Sequence, residues 1–177
     1  DPNGERGGDS DMFDMFIKIG AIKGESQDAR HRDEIEVQSW AWGEAQSGGP
    51  GGGGAGAGGG AGAGAGKVSM QDFTFTHLLD MASPNLMKAC ASGTHIPEAV
   101  FSARKAGDVM RDFLVIKLQD VTVTAVSTGG SDDGNGFGET VALGFAKIRV
   151  EYRRQKADGS MMTASVFEWD VRANKGA

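Results

Sequence analysis

Large apolar residues recur at every second position through most of this chain, a spacing that lines one face of an extended strand and cannot line one face of a helix. Met15, Ile17 and Ile19 share a face, Phe16 and Lys18 take the other, and Gly20 ends the run. Glu34 to Trp42 begins in the same way, with Ile35 and Val37 opposite Glu34, Glu36 and Gln38, then shifts phase to Trp40 and Trp42. A one-residue shift is what a β-bulge produces, and bulges bend strands as barrel closure requires. Val68 and Met70 giving way to Phe73 and Phe75 predicts a second bend. Ala99, Phe101 and Ala103 alternate in a segment ending at Arg104–Lys105. Phe113 to Thr128 and Thr140 to Arg153 are similar in length, and the second changes face between Phe145 and Ile148. The turn-rich connection GGSDDGNGFG predicts that these two pair as a long antiparallel hairpin. Asp158–Gly159 marks another turn, and Thr163 to Val171 alternates as a last strand.

One segment breaks the pattern. Ser83 at the N-cap, Pro84 in the first turn and Gly93 just past the end predict a short helix, with Thr76 to Met81 adding a helical turn before it. The expected fold is mainly all-β, with seven or eight strands. It is a compact β-barrel of two packed antiparallel sheets with one short flanking α-helix.

Thirteen of the 29 glycines lie between Gly48 and Gly66, in a tract whose other residues are five Ala and Pro50. With no side chain larger than a proline ring, that tract has nothing to pack and predicts an internal loop. Residues 1–11 are polar, lack an apolar signal-peptide core, and read as a vector-derived remnant or a disordered leader. The remaining residues of 12–177, about 150 without the tract, suffice for one self-supporting domain.

Composition excludes several functions. No run approaches the roughly 18 apolar residues of a membrane span. A net charge of −6 argues against nucleic-acid binding, and one Cys supplies neither a disulfide framework nor a zinc site. Gly64–Ala65–Gly66–Lys67 is followed by Val68 rather than the Ser or Thr of a phosphate-binding loop. Asp132–Asp133–Gly134–Asn135–Gly136 lacks the further oxygen ligands of a calcium loop and reads as a solvated hairpin turn. His31–Arg32–Asp33 has no companion kinase signature and reads as a charged surface loop. His31, His77 and His95 are isolated, read as surface or packing residues, and Cys90 shares a helical face with Leu86 as a buried structural thiol. No catalytic residue, metal site or cofactor is expected, and the chain reads as a structural or binding protein.

The segments DMFIKIGAIKGESQD from Asp14, EIEVQSWAWG from Glu34, GKVSMQDFTFT from Gly66, SPNLMKACASGTHIPEA from Ser83, RKAG from Arg104, VSTGGS from Val126, VALGFAKIRVEYRRQ from Val141 and FEWD from Phe167 closely resemble, in order, the Hcp family of haemolysin-coregulated proteins in bacterial type VI secretion. The resemblance implies a β-barrel subunit of a homohexameric ring. Rings stack into an inner tube that a sheath drives out of the cell beneath a VgrG spike, and secreted effectors ride in the ring channel. It implies folding in the cytoplasm, release outside the cell without a signal peptide, no catalysis, no nucleic acid and no membrane insertion. By resemblance Ala41 and Ser131 line or border the channel, and the loop carrying Gly48, Pro50 and Gly66 is the ring-stacking element. That loop departs from the family: it holds only Gly, Ala and Pro and looks lengthened, which bears on the strength of stacking and not on the fold. The Arg104 to Phe113 connection looks slightly short. The alternative reading is a monomeric β-barrel that binds a small ligand inside. A variant with an added toxin domain is not expected, since few residues follow Val171.

Overall fold

The computed structural model describes residues 13–46, 67–105 and 111–176. In chain order they form β1 (Phe13–Ile19), β2 (Ile35–Glu36), β3 (Ser39–Ala41), β4 (Glu44–Gln46), β5 (Val68–Met70), β6 (Phe73–Leu78), α1 (Ser83–Ser92), β7 (His95–Lys105), β8 (Asp112–Gly130), β9 (Phe137–Gly144), β10 (Lys147–Tyr152) and β11 (Ser165–Asp170). The fold is all-β with one helix, as the alternation predicts. These segments are fewer as runs of chain, because bends cut three runs into pieces. β2, β3 and β4 follow one another within Ile35–Gln46, β5 and β6 are parted only by Gln71 and Asp72, and β9 and β10 only by Phe145 and Ala146.

The breaks after β2, β5 and β9 fall where the sequence changes phase. β8 pairs with β10 through Ile148↔Leu118 and Val150↔Ile116, and with β9 through Val141↔Val126 and Leu143↔Val123. This is the expected long hairpin, with its irregularity between Val123 and Ala125. β4–β5 continues the hairpin β3–β6 beyond the bend, from Ala41↔Thr74 to Glu44↔Met70.

The main sheet runs β2-β1-β7-β8-β9-β6-β3, with β10 also on β8 and β11 on β10; β4–β5 is a separate two-stranded sheet. The ladder is therefore not a closed ring of hydrogen bonds, and the architecture is one curled sheet with a small second one rather than two equal layers. Its ends nonetheless meet. β2 and β3 sit at opposite ends of the path, yet only Val37 and Gln38 separate them. The Val37 N–H donates to Met15 O at 2.9 Å and the Gln38 N–H donates to Thr76 O at 2.8 Å. The strand thus passes from β1 to β6 within two residues.

Inside the curl, Ile17, Phe73, Phe75, Phe101, Leu118, Val141 and Leu143 are all essentially inaccessible, with Trp40 packed against them. Each such side chain contributes roughly 1.5–3 kcal/mol by leaving water.

The helix differs from expectation at its start. Ala82 occupies the cap and Ser83 is the first helical residue, its Oγ accepting the Asp80 N–H at 3.2 Å. Pro84 sits in the first turn, and Gly93 ends the helix at φ 63° as expected. Thr76 to Leu78 is strand, not helix, because β9 and β3 both pair with that stretch. Cys90 is half-buried against the core rather than fully buried.

Candidate functional site

The strands β3, β6, β9 and β8 turn their large side chains inward, so their outward positions form a surface of their own. The register aligns these positions in rows. Ala41 pairs with Thr74, Thr74 with Ala142, and Ala142 with Ala125. The next row is Ser39, Thr76, Thr140 and Ser127. A third is Leu78, Gly138 and Gly129. The first two rows carry no charge and nothing larger than threonine, and they are exposed or half-buried. Ser39 and Thr76 share a hydrogen bond of 2.5 Å between their hydroxyls, and Thr124 Oγ1 donates to Asp72 Oδ2 at 2.6 Å on the border.

This surface is bounded by open strand edges. β3 pairs only with β6, and β7 ends its pairing with β8 at His95↔Thr122, so β8 beyond Thr122 pairs with β9 alone among the described residues. Unpaired backbone donors and acceptors in such edges are templates for another strand.

Of the residues expected from the sequence, Ala41 lies within the first row. Ser131 lies past the end of β8 in the hairpin loop, beyond the last row, where it and the Asn135 N–H hold the Asp133 carboxyl below its ordinary value, the Asn135 bond contributing most. The structure does not bring the two together. Gly48, Pro50 and Gly66 lie outside the described residues. The rest of the row went unnoticed in the sequence, although the signal was present: the off-phase positions of four separate strands are Ala, Ser or Thr. Only the register aligns them.

Two polar clusters also escaped sequence reasoning. His31–Arg32–Asp33 lies in the loop between β1 and β2 with Arg32 and Asp33 exposed, but the His31 side chain turns inward and is buried. Its ring stacks on Phe16 at 4.4 Å, with Nδ1 3.0 Å from Glu34 Oε2 and Nε2 3.2 Å from Asp112 Oδ1. The hydrogen bond to Asp112, then that to Glu34, raises the imidazole to about 9 against the opposing effect of burial. Arg104, also buried, lies 5.2 Å from the same Phe16 ring, donates to Asp14 at 3.2 Å and holds Asp28 through both terminal nitrogens. That pairing depresses the Asp28 carboxyl to about 2. The second cluster joins His77 and Glu139, both buried, through Nε2 and Oε1 at 2.9 Å.

No group of three or more His, Cys, Asp or Glu suited to a metal occurs among the described residues, and no helix among them is long and apolar enough to cross a membrane.

Residues 16–152 match the family described as Type VI secretion system effector, Hcp. The chain is 50% identical to Protein hcp1 of Pseudomonas aeruginosa over 163 residues, covering 91% of this chain and 96% of that one. Its fold is similar to the crystal structure of Hcp1 from Salmonella typhimurium, with a TM-score of 0.74 at 36% identity, covering 94% of this chain and all of that one. A type VI secretion system effector from Yersinia pestis superposes with a TM-score of 0.71 at 36% identity, over 89% of this chain and all of that one. With the family match spanning most of the chain and half its residues shared with a full-length relative, this protein belongs to the Hcp family of type VI secretion tube proteins.

Proposed function

We propose that the chain is the repeating subunit of a homohexameric ring whose channel is walled by the face of small side chains, and that such rings stack into the inner tube of the secretion machine. The observation that carries this reading is a smooth, uncharged four-stranded face with an open edge on each side. Edge strands like these are a liability in a monomer, and pairing β3 of one copy with β8 of the next removes both edges at once. Such a contact joins two different surfaces, and its repetition by a sixth of a turn closes into a ring. A wall of Ala, Ser and Thr leaves the lumen wide and offers weak, sequence-tolerant hydrogen bonds to an effector in transit. In this reading residues 12–177 act as one barrel domain with 48–66 as an internal loop. The protein folds in the cytoplasm, leaves the cell through the tube's own firing, meets the sheath and the VgrG spike there, and performs no catalysis.

The competing picture of a monomeric ligand-binding barrel finds no support in the interior, which buried Phe75 and the ring-to-ring cluster of Trp40, Phe73 and Phe101 fill, with Phe73 and Phe101 5.5 Å apart. Light scattering at micromolar concentration tests the proposal. A particle of six times 18.4 kDa that shows six-fold rings by negative-stain microscopy is expected, and a persistent 18.4 kDa monomer overturns it.

A further inference from the structure

The inward face of the same four strands ends in polar residues rather than hydrocarbon. Beyond Phe75 and Val141, the aligned row is His77, Glu139 and Thr128, from β6, β9 and β8. His77 and Glu139 are buried. Thr128 Oγ1 donates to Glu139 Oε2 at 2.8 Å, so Glu139 Oε2 accepts, and the other carboxylate oxygen meets His77 Nε2 at 2.9 Å. The second nitrogen of the ring is the unusual one. His77 Nδ1 is buried with no hydrogen-bond partner and lies 3.9 Å from Asp80 Oδ1, in the segment leading into α1.

The groups around this imidazole are unevenly charged. β9 brings Glu139, the segment before α1 brings Asp80, the loop after β1 brings Glu25 to that same segment, and β8 contributes only the neutral Thr128. α1 itself adds only the Ser83 hydroxyl, which accepts the Asp80 N–H. Asp80 Oδ1 accepts the Ala82 N–H at 2.8 Å and Glu25 Oε2 accepts the Met81 N–H at 3.2 Å, so these carboxylates are what fix the entry to the helix. Two carboxylates thus flank one imidazole, and Glu25 adds a third negative charge beside Asp80. A neutral ring that donates from Nε2 to Glu139 turns a bare lone pair toward the Asp80 carboxylate; a doubly protonated ring offers each acid a donor. Burial pushes the Asp80 carboxyl above its ordinary value, the Ala82 N–H and His77 pull it back, and Glu25 and Glu139 add to the rise.

We propose that His77 is a proton-operated latch: protonated, it ties the β8–β9 hairpin to the start of α1 through Glu139 and Asp80, and on losing its proton it lets the segment 79–82 go. The segment it controls is also a surface. Leu78, Leu79, Met81 and Phe137 are exposed apolar side chains at this end of the hairpin, and the Leu79 N–H donates to Phe137 O at 2.8 Å. The latch therefore sets whether this apolar patch is presented as one fixed surface. It operates within a single chain, so it stands or falls independently of ring formation.

The test reads two exchange rates on the intact protein by mass spectrometry, from pH 5.5 to 8. Deuterium uptake at the imidazole C2 position reports the charge of His77 in monomer or assembly alike. Amide exchange in peptides covering 79–82, divided by that in peptides covering 73–77 after removal of the chemical pH dependence, reports the latch. Relative protection of 79–82 is expected to fall at least tenfold as His77 deprotonates. His77→Lys, which keeps a positive charge at this place, is expected to hold that protection through pH 8, and His77→Gln to abolish its pH dependence. A His77 ring that keeps one protonation state throughout, or protection at 79–82 that ignores its titration, overturns the proposal. Both readings come from the unsubstituted protein, so the outcome does not depend on either variant folding.

Discussion

Phe16 points away from the barrel interior and is nevertheless only 5% exposed. Its cover is ionic: His31 stacks on the ring, Arg104 lies over it, and Asp14, Asp28, Glu34 and Asp112 balance the two cations. The loop from Lys23 to Glu34 is thereby fastened to the outside of β1 and β7. Because the imidazole is raised to about 9, its stabilising contribution is complete below the unfolded value of 6.5 and is lost as pH climbs through 9. Urea titrations are expected to show the gap between the protein and His31→Gln shrinking between those limits, by at most about 1.4 kcal/mol per pH unit. A gap that stays constant from pH 6 to pH 10 contradicts the assignment. None of this was legible in the sequence, where His31 looks like part of a charged loop. Asp112 lies 81 residues away from it and Arg104 is 76 residues from Asp28, and periodicity carries no information about side chains meeting at such separation.

At the scale of elements the alternation told far more. Every phase change marks a place where the ladder slips or a strand changes partner, because a period-two pattern cannot shift without moving a side chain to the other face. The pattern fails where it meets local competition. Thr76 to Leu78 has the composition of a helix approach, yet two neighbouring strands capture it; Ser83 has the chemistry of a cap, yet spends its hydroxyl on Asp80. The loop after β1 shows what such competition costs. Gly24 donates to Asp33 O at 2.8 Å, and a Cβ there would stand 2.5 Å from Glu34 O. Gly24→Ala must push that backbone away from β1, so a loss of about 1–3 kcal/mol is expected in chemical unfolding; an unchanged midpoint means that the loop moves freely. On the opposite element, Ala41→Gln adds a flexible polar chain to an exposed position of the smooth face. Ring mass is expected to stay the same while effector co-purification drops several-fold, and equal co-purification removes Ala41 from the channel wall.

For the whole molecule, the decisive device is the strand that joins β2 to β3 through Val37 and Gln38. Both ends of the main path are held by the same few residues, so neither end can part without disturbing the other, while β11, paired with β10 alone, lies off that path. Unfolding is therefore expected to be all-or-none outside the 79–82 segment. Tryptophan fluorescence, which samples Trp40 and Trp42 near the clasp and Trp169 on β11, should lose its native signal at the same denaturant concentration as far-ultraviolet dichroism. Separate midpoints refute that cooperativity.

The same two residues have a mechanical meaning. A sheet left open at one seam spreads under a radial squeeze, the way a split collar does. Here the seam is bridged by peptide bonds at Val37 and Gln38, so prising the two ends apart at that height strains covalent chain rather than a row of hydrogen bonds sliding past one another. A body built this way resists being opened at that point.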